Sequence, residues 1–290
     1  MDSRTRHPAP NQPSPTLIQR GRSLLPAAIT RAASQQTHQI IGSLVDHDRT
    51  QHGYRAYAYF RWVDDQIDEA IPTRDERIAF VERQQAIVDR AYAGEETPDL
   101  RAEEQMAVAL IGADDGPGSG LHIYMQRMMA VMAFDAARRG RLISQAELDT
   151  YTRDLAVAVT EALHYFIGHD DPTPQVETRY HAVIAAHITH MLRDTCEDVA
   201  AGYYNIPREV LDAGDISPRD VHSAPYRAWV QSRVQQARDY FKAGRDYLTQ
   251  VRSARCRLAG HAYCVQFERE LDALERSAYF VRSDAKTERI

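Results

Sequence analysis

Residues 57–68 read YAYFRWVDDQID, and the fold turns on how this stretch is understood. Three aspartates, Asp64, Asp65 and Asp68, interrupt a run of aromatics that otherwise has the character of a buried helix. Like charges four apart on a helix repel by roughly 0.2 to 0.5 kcal/mol per pair, so such a cluster calls either for a cation or for solvent. Read as a helix, Tyr57, Arg61, Asp64 and Asp68 follow steps of four, three and four and share one face, with Asp65 displaced by about 100°. A phenol, a guanidinium and two carboxylates on one stripe describe either a salt-bridged surface or one wall of a polar site.

A second stretch, HITHMLRDTCEDVAAGYYNIP at 187–207, repeats the pattern. His187, His190, Asp194 and Asp198 follow steps of three, four and four, and Arg193 immediately precedes the first aspartate. Arg, Asp and a second Asp four residues later thus occur twice, more than 100 residues apart. Two such faces set opposite each other across a bundle would offer oxygen ligands to hard divalent cations. Magnesium suits this chemistry, because it is usually held by one or two carboxylates together with substrate phosphate and water. The arginines can then fork onto phosphate oxygens.

The rest of the chain frames these motifs. It has 290 residues, 43% hydrophobic and 26% charged, an ordinary globular profile. A net charge of -6 offers no basic surplus for a nucleic-acid backbone. Cys196, Cys256 and Cys264 form neither a disulfide framework nor a zinc set, which fits a reducing, cytoplasmic setting. No apolar run approaches the roughly 18 residues of a membrane span. Residues 1–20, with Pro8, Pro10, Pro13 and Pro15, read as a disordered tail, and 21–290 as a single all-α domain of about ten helices. Breaks are expected at 70–76, 93–99, 113–120, 168–175, 205–209 and 213–220, with helix starts at Thr173-Pro174, Ser217-Pro218 and Pro207.

The paired motifs resemble those of the squalene and phytoene synthase family. YAYFRWVDDQID is similar to its first motif, and MLRDTCED to its second. FDAARRGRLISQAELDTYTRDLAVAVTEAL (134–163) resembles the central helices, with Tyr151 at the catalytic tyrosine, and AYCVQFERELDALERSAYFVRS (262–283) resembles the closing helix, which carries Tyr263. The resemblance implies an isoprenoid-synthase-type bundle around a central cavity, in which magnesium, or manganese, assists loss of diphosphate from an allylic isoprenyl diphosphate such as farnesyl or geranylgeranyl diphosphate. It implies that Asp64, Asp68, Asp194 and Asp198 hold metal; that Arg61 and Arg193 grip diphosphate, with His190, Asp65, Thr37 and Tyr263 also toward substrate; and that Tyr57 and Tyr151 line the reacting centre. Tyr59 and Phe60 could face the carbocation or serve as packing.

Three departures stand out. His187 and His190 replace the family's Gln and Asn. The loop Gly202-Tyr203-Tyr204-Asn205-Ile206-Pro207 lacks the Arg and Tyr of a Gly-Arg-x-Tyr-x-Pro pattern, and Thr37 and His38 stand near the position of a phosphate-binding Ser and an aromatic. Head-to-head joining of two prenyl chains is the expected activity; a single-substrate terpene cyclase or an atypical prenyltransferase is the alternative. A helical iron or manganese protein and a non-enzymatic scaffold are the readings from other classes. The sequence leaves open the substrate's length, the use of NADPH and the oligomeric state. A lipophilic product would make transient, peripheral membrane contact compatible with release, although no polybasic amphipathic helix is evident.

Overall fold

The computed structural model describes residues 26–168 and 176–281. The proline-rich tail and the Thr173-Pro174 helix start lie outside the described residues. Among those described there is no strand, and the architecture is all-α. The elements are α1 (26–33), α2 (Gln35–Leu44), α3 (Thr50–Asp65), α4 (Arg74–Tyr92), α5 (Ala102–Ile111), α6 (Gly120–Arg138), α7 (Gln145–Gly168), α8 (His181–Arg193), α9 (Thr195–Ala201), α10 (Arg208–Gly214), α11 (Ala224–Leu248) and α12 (Ala254–Arg276). A π-helical turn, Gln66–Ala70, extends α3, and a 3₁₀ turn, Glu177–Tyr180, leads into α8.

Local chemistry explains most boundaries. Ser34, Thr73, Ser119, Ser223 and Ser253 each accept a backbone N–H from the first turn of the helix they precede. Thr73 and Glu76 also pair through their side chains at 2.6 Å, and Pro207 caps α10. The Ser217-Pro218 expectation fails: those residues form a turn, and α11 begins seven residues after Ser217, where Ser223 supplies the cap and Pro225 fits a position whose N–H needs no partner. Turns at 45–49, 139–144 and 249–253, which composition did not flag, raise the helix count from about ten to twelve.

α8 is the axis of the bundle. Residues 182–189 of this helix are all buried, as befits a segment apolar on every side, and α7, α11 and α12 pack around it. α11 approaches most closely at Gly244, where a Cβ would sit 2.6 Å from the Ala182 nitrogen. One apolar core runs from Ile41 to Val281. α6 and α7 form an antiparallel pair on one flank, and their connection brings Gly140 N to Gly202 O at 2.8 Å. Both glycines have positive φ, +78° and +88°, which a side chain would oppose. This contact docks the α6–α7 turn onto the loop that follows the second acidic motif.

Candidate active site

The first motif does not form one uninterrupted α-helical stripe. α3 ends at Asp65, and the π-helical turn that follows carries Asp68. The wider turn rotates Asp68 relative to an α-helical continuation. The second motif is likewise divided: Asp194, at φ -90° and ψ 10°, ends α8 and begins α9. Backbone bonds carry across this kink, from Asp194 N to His190 O at 3.0 Å and from Asp198 N to Asp194 O at 2.8 Å.

The two motifs meet across the bundle, and a third acid joins them. Asp135 on α6 lies close enough that Asp68 disfavours its charge, and that it in turn disfavours the charges of Asp64 and Asp198. Burial and Asp68 push Asp64 up to about 7; burial and Asp194 push Asp198 up to about 7. Burial also raises Asp135, with Arg138 pulling the other way. Burial and the neighbouring carboxylates together therefore favour the neutral forms of Asp64, Asp135 and Asp198.

Arg138 links its parts. Its Nε donates to Asp135 Oδ1 at 2.6 Å and its Nη1 to Asn205 Oδ1 at 2.7 Å, while Asn205 Nδ2 donates to Asp198 Oδ2 at 2.8 Å. The guanidinium lies 4.8 Å from the ring of Tyr151, 4.9 Å from that of Tyr203 and 5.5 Å from that of Phe134. Tyr151 donates to Asp135 Oδ2 at 3.1 Å, and Tyr203 to Asp68 Oδ1 at 2.6 Å. The loop that lacks the expected Arg and Tyr thus still reaches both acidic motifs, Tyr203 to the first and Asn205 to the second.

The remaining candidates fall into three groups. Tyr57 stands at the mouth, sharing a hydrogen bond with Thr37 and lying within the field of Arg61, Asp64 and Asp65. Arg61 pairs with Asp64 at 3.3 Å and with Asp65. Arg193 forks onto Asp194 at 2.6 and 2.9 Å and reaches Glu270 of α12 at 3.2 Å. His190 Nε2 stands 2.8 Å from Asp194 Oδ2. Although burial works the other way, Arg193 and His190 hold Asp194 well below the usual carboxylate range. Tyr263, partly buried on α12, lines a cavity of about 40 Å³ with Leu163, Tyr247 and Leu248 and lies within the field of Glu270, the partner of Arg193. Leu163 follows Tyr151 by twelve residues along α7, about 18 Å. Tyr59 is fully buried with its hydroxyl on Gln84, and so is a packing residue.

Sequence reasoning missed Asp135, Arg138, Arg139 and Glu270. The segment FDAARRGR carries a signal, an acid with arginines three and four residues on, beside its resemblance to the family's central helices. As for a metal, the donors are hard carboxylate oxygens gathered from two motifs and α6, so the residues fit a magnesium-type cation chemically. In the arrangement described, no three Asp, Glu, His or Cys side chains converge as a ready cation site among the described residues. Arg61, Arg193, His190, Tyr203 and Asn205 engage the acids instead.

Residues 31–290 match the family model for squalene/phytoene synthase. The chain belongs to that family. A presqualene diphosphate synthase from Zymomonas mobilis is 28% identical over 176 residues, a stretch covering 59% of this chain and 55% of that relative. The match therefore spans only about half of the relative's length. In fold, the chain is similar to the squalene synthase HpnC from Alicyclobacillus acidocaldarius, with a TM-score of 0.74, 21% identity, and coverage of 92% of this chain and 97% of the other. A dehydrosqualene synthase in complex with ligand superposes with a TM-score of 0.70 at 16% identity, over 94% and 93% of the two chains. For this squalene/phytoene synthase family member, no helix among the described residues is long and apolar enough to cross a membrane.

Proposed function

We propose that this chain is a prenyltransferase that ionises an allylic isoprenyl diphosphate and joins the resulting cation head-to-head to a second such molecule. The name of the Zymomonas relative favours a presqualene-type diphosphate as the first product. One observation carries the reading. Two Arg-Asp motifs from distant parts of the chain meet at one cluster: Arg138 and Asn205 join Asp198 of the second to Asp135 and Tyr151, and Tyr203, whose ring lies beside Arg138, reaches Asp68 of the first.

Asp64, Asp68, Asp194 and Asp198 are the residues that would hold magnesium, or manganese. The bound ion would supply charge stabilisation to the departing diphosphate. The protein's own groups do the rest. Arg61 and Arg193, now paired with Asp64 and Asp194, are placed to exchange carboxylate for phosphate oxygens. Tyr57, on the first motif's stripe, orients the allylic end through the Thr37 hydrogen bond that fixes its hydroxyl. Tyr151 would present its ring to the carbocation, and its hydroxyl, which donates to Asp135, would take up a proton lost from that cation by passing its own hydrogen to the Asp135 carboxylate. The rings of Phe134, Tyr151 and Tyr203 limit water's access on that side.

The test supplies farnesyl and then geranylgeranyl diphosphate, each alone, with magnesium. Diphosphate release and product mass are read together, with and without NADPH. A product, free or still carrying diphosphate, with twice the substrate's carbons is expected. A product with the substrate's own carbon count would replace head-to-head joining with a cyclase or lyase reaction.

A further inference from the structure

We propose that Arg139 is a diphosphate-binding residue, supplying from the end of α6 the guanidinium that the loop after the second motif lacks; this rests on the prenyl-transfer reading. In that loop Tyr203 occupies the place of the arginine in the Gly-Arg-x-Tyr-x-Pro pattern. The other arginines around the acidic cluster each have a carboxylate partner that diphosphate would have to displace. Arg61 holds Asp64 and Asp65, Arg193 holds Asp194 and Glu270, and Arg138 holds Asp135 and Asn205. Arg139 differs, because among the described residues no carboxylate lies within ion-pair distance of it.

Its geometry is that of a clamped fork. Nε donates to Ala201 O at 3.0 Å, beside the second motif, and Nη1 donates to Asp68 O at 3.1 Å, within the first. The Cζ atom lies 5.9 Å from the centre of the Tyr203 ring, so the guanidinium stands beside the loop position where the pattern's arginine is missing. The Nη2 edge takes no protein partner among the described residues. The backbone behind it is fixed by the Gly140–Gly202 bond. A half-buried guanidinium held by two neutral carbonyls keeps its full charge and spends little conformational entropy on meeting a phosphate oxygen. It also bridges the two acidic segments between which diphosphate would leave.

Titration calorimetry with inorganic diphosphate, with and without magnesium, would test this on the full chain as native, R139Q, Y203R and R139Q/Y203R, alongside KM and kcat for the isoprenyl diphosphate. R139Q should weaken diphosphate binding and raise KM about tenfold or more, the scale of one charge-assisted hydrogen bond. Y203R in the R139Q background should restore most of that loss, which a merely structural role for Arg139 would not allow. Unchanged binding in R139Q overturns the proposal, as does a loss that Y203R leaves unrepaired. If thermal melts show R139Q unfolded, R139K carries the test: keeping the charge without the fork, it should bind several-fold more weakly than native, and binding equal to native overturns the proposal. A native protein that neither binds diphosphate nor releases it from a prenyl substrate would instead sink the prenyl-transfer reading itself.

Discussion

Tyr151 and Asp135 show how one buried pair is set by its surroundings. Burial, then Asp135, push the tyrosine well above its ordinary pKa, so it stays a hydrogen-bond donor to the carboxylate. Tyr151→Phe should cost about 1–3 kcal/mol by leaving Asp135 short of a partner, and should couple to Asp135→Asn by about 0.5–3 kcal/mol in a double-mutant cycle read by denaturant unfolding. His187 gives a pH prediction. Its Nε2 is buried with no hydrogen-bond partner, and the ring stands edge-on to Tyr151 at 5.2 Å. Burial, then His190, Arg138 and Arg233, push its pKa well below 6.5. Above 6.5 both folded and unfolded chains hold it neutral. Below that, the unfolded chain takes up a proton the native chain refuses, so native stability falls with pH. Replacing His187 with Gln should flatten the decline between about pH 6.5 and 5 by up to about 1.4 kcal/mol per pH unit, as measured by unfolding across that range.

At the scale of elements, close approach between helices decides tolerance. Gly244→Ala would drive a Cβ to 2.6 Å from the Ala182 nitrogen and 2.9 Å from its Cα, both backbone atoms that cannot turn aside. The expected cost is about 1–3 kcal/mol or more, seen as a lowered Tm. Gly260→Ala should cost less, because the atoms it meets are the end of the flexible Leu248 side chain. Helix chemistry was legible where Pro marked an entry, as at Pro207, after which α10 begins. It was not legible at Asp68 or Asp194. There a π-helical turn and a kink break stripes whose spacing reads as continuous α-helix, because period alone carries no record of how the backbone yields to tertiary contacts.

At the scale of the whole molecule, the site joins α3, α6, α8, α9 and the loop before α10, so a ligand bridging the acidic motifs should stabilise the entire bundle. Magnesium and diphosphate at about one hundred times their apparent Kd should raise unfolding free energy by about 2.7 kcal/mol, and EDTA should reverse the gain. Asp64→Ala and Asp194→Ala should each abolish the stabilisation and lower kcat/KM by about a hundredfold or more, since each removes charge meant for the cation. Retention of full turnover in either variant would remove the metal reading.

The sequence by itself determined the all-α class and the two acidic motifs, because periodicity and the spacing of Arg and Asp are local and survive in one dimension, and the likeness of those motifs to known ones gave the family. Only the tertiary structure decided that Asp135, Arg138 and Arg139 belong to the site. It also revealed that Tyr203 and Asn205 still reach both motifs despite departing from the loop pattern. These facts depend on how α6, with the turn after it, docks against a loop more than 60 residues away, and a hydrogen bond between such distant segments leaves no spacing in the chain to read.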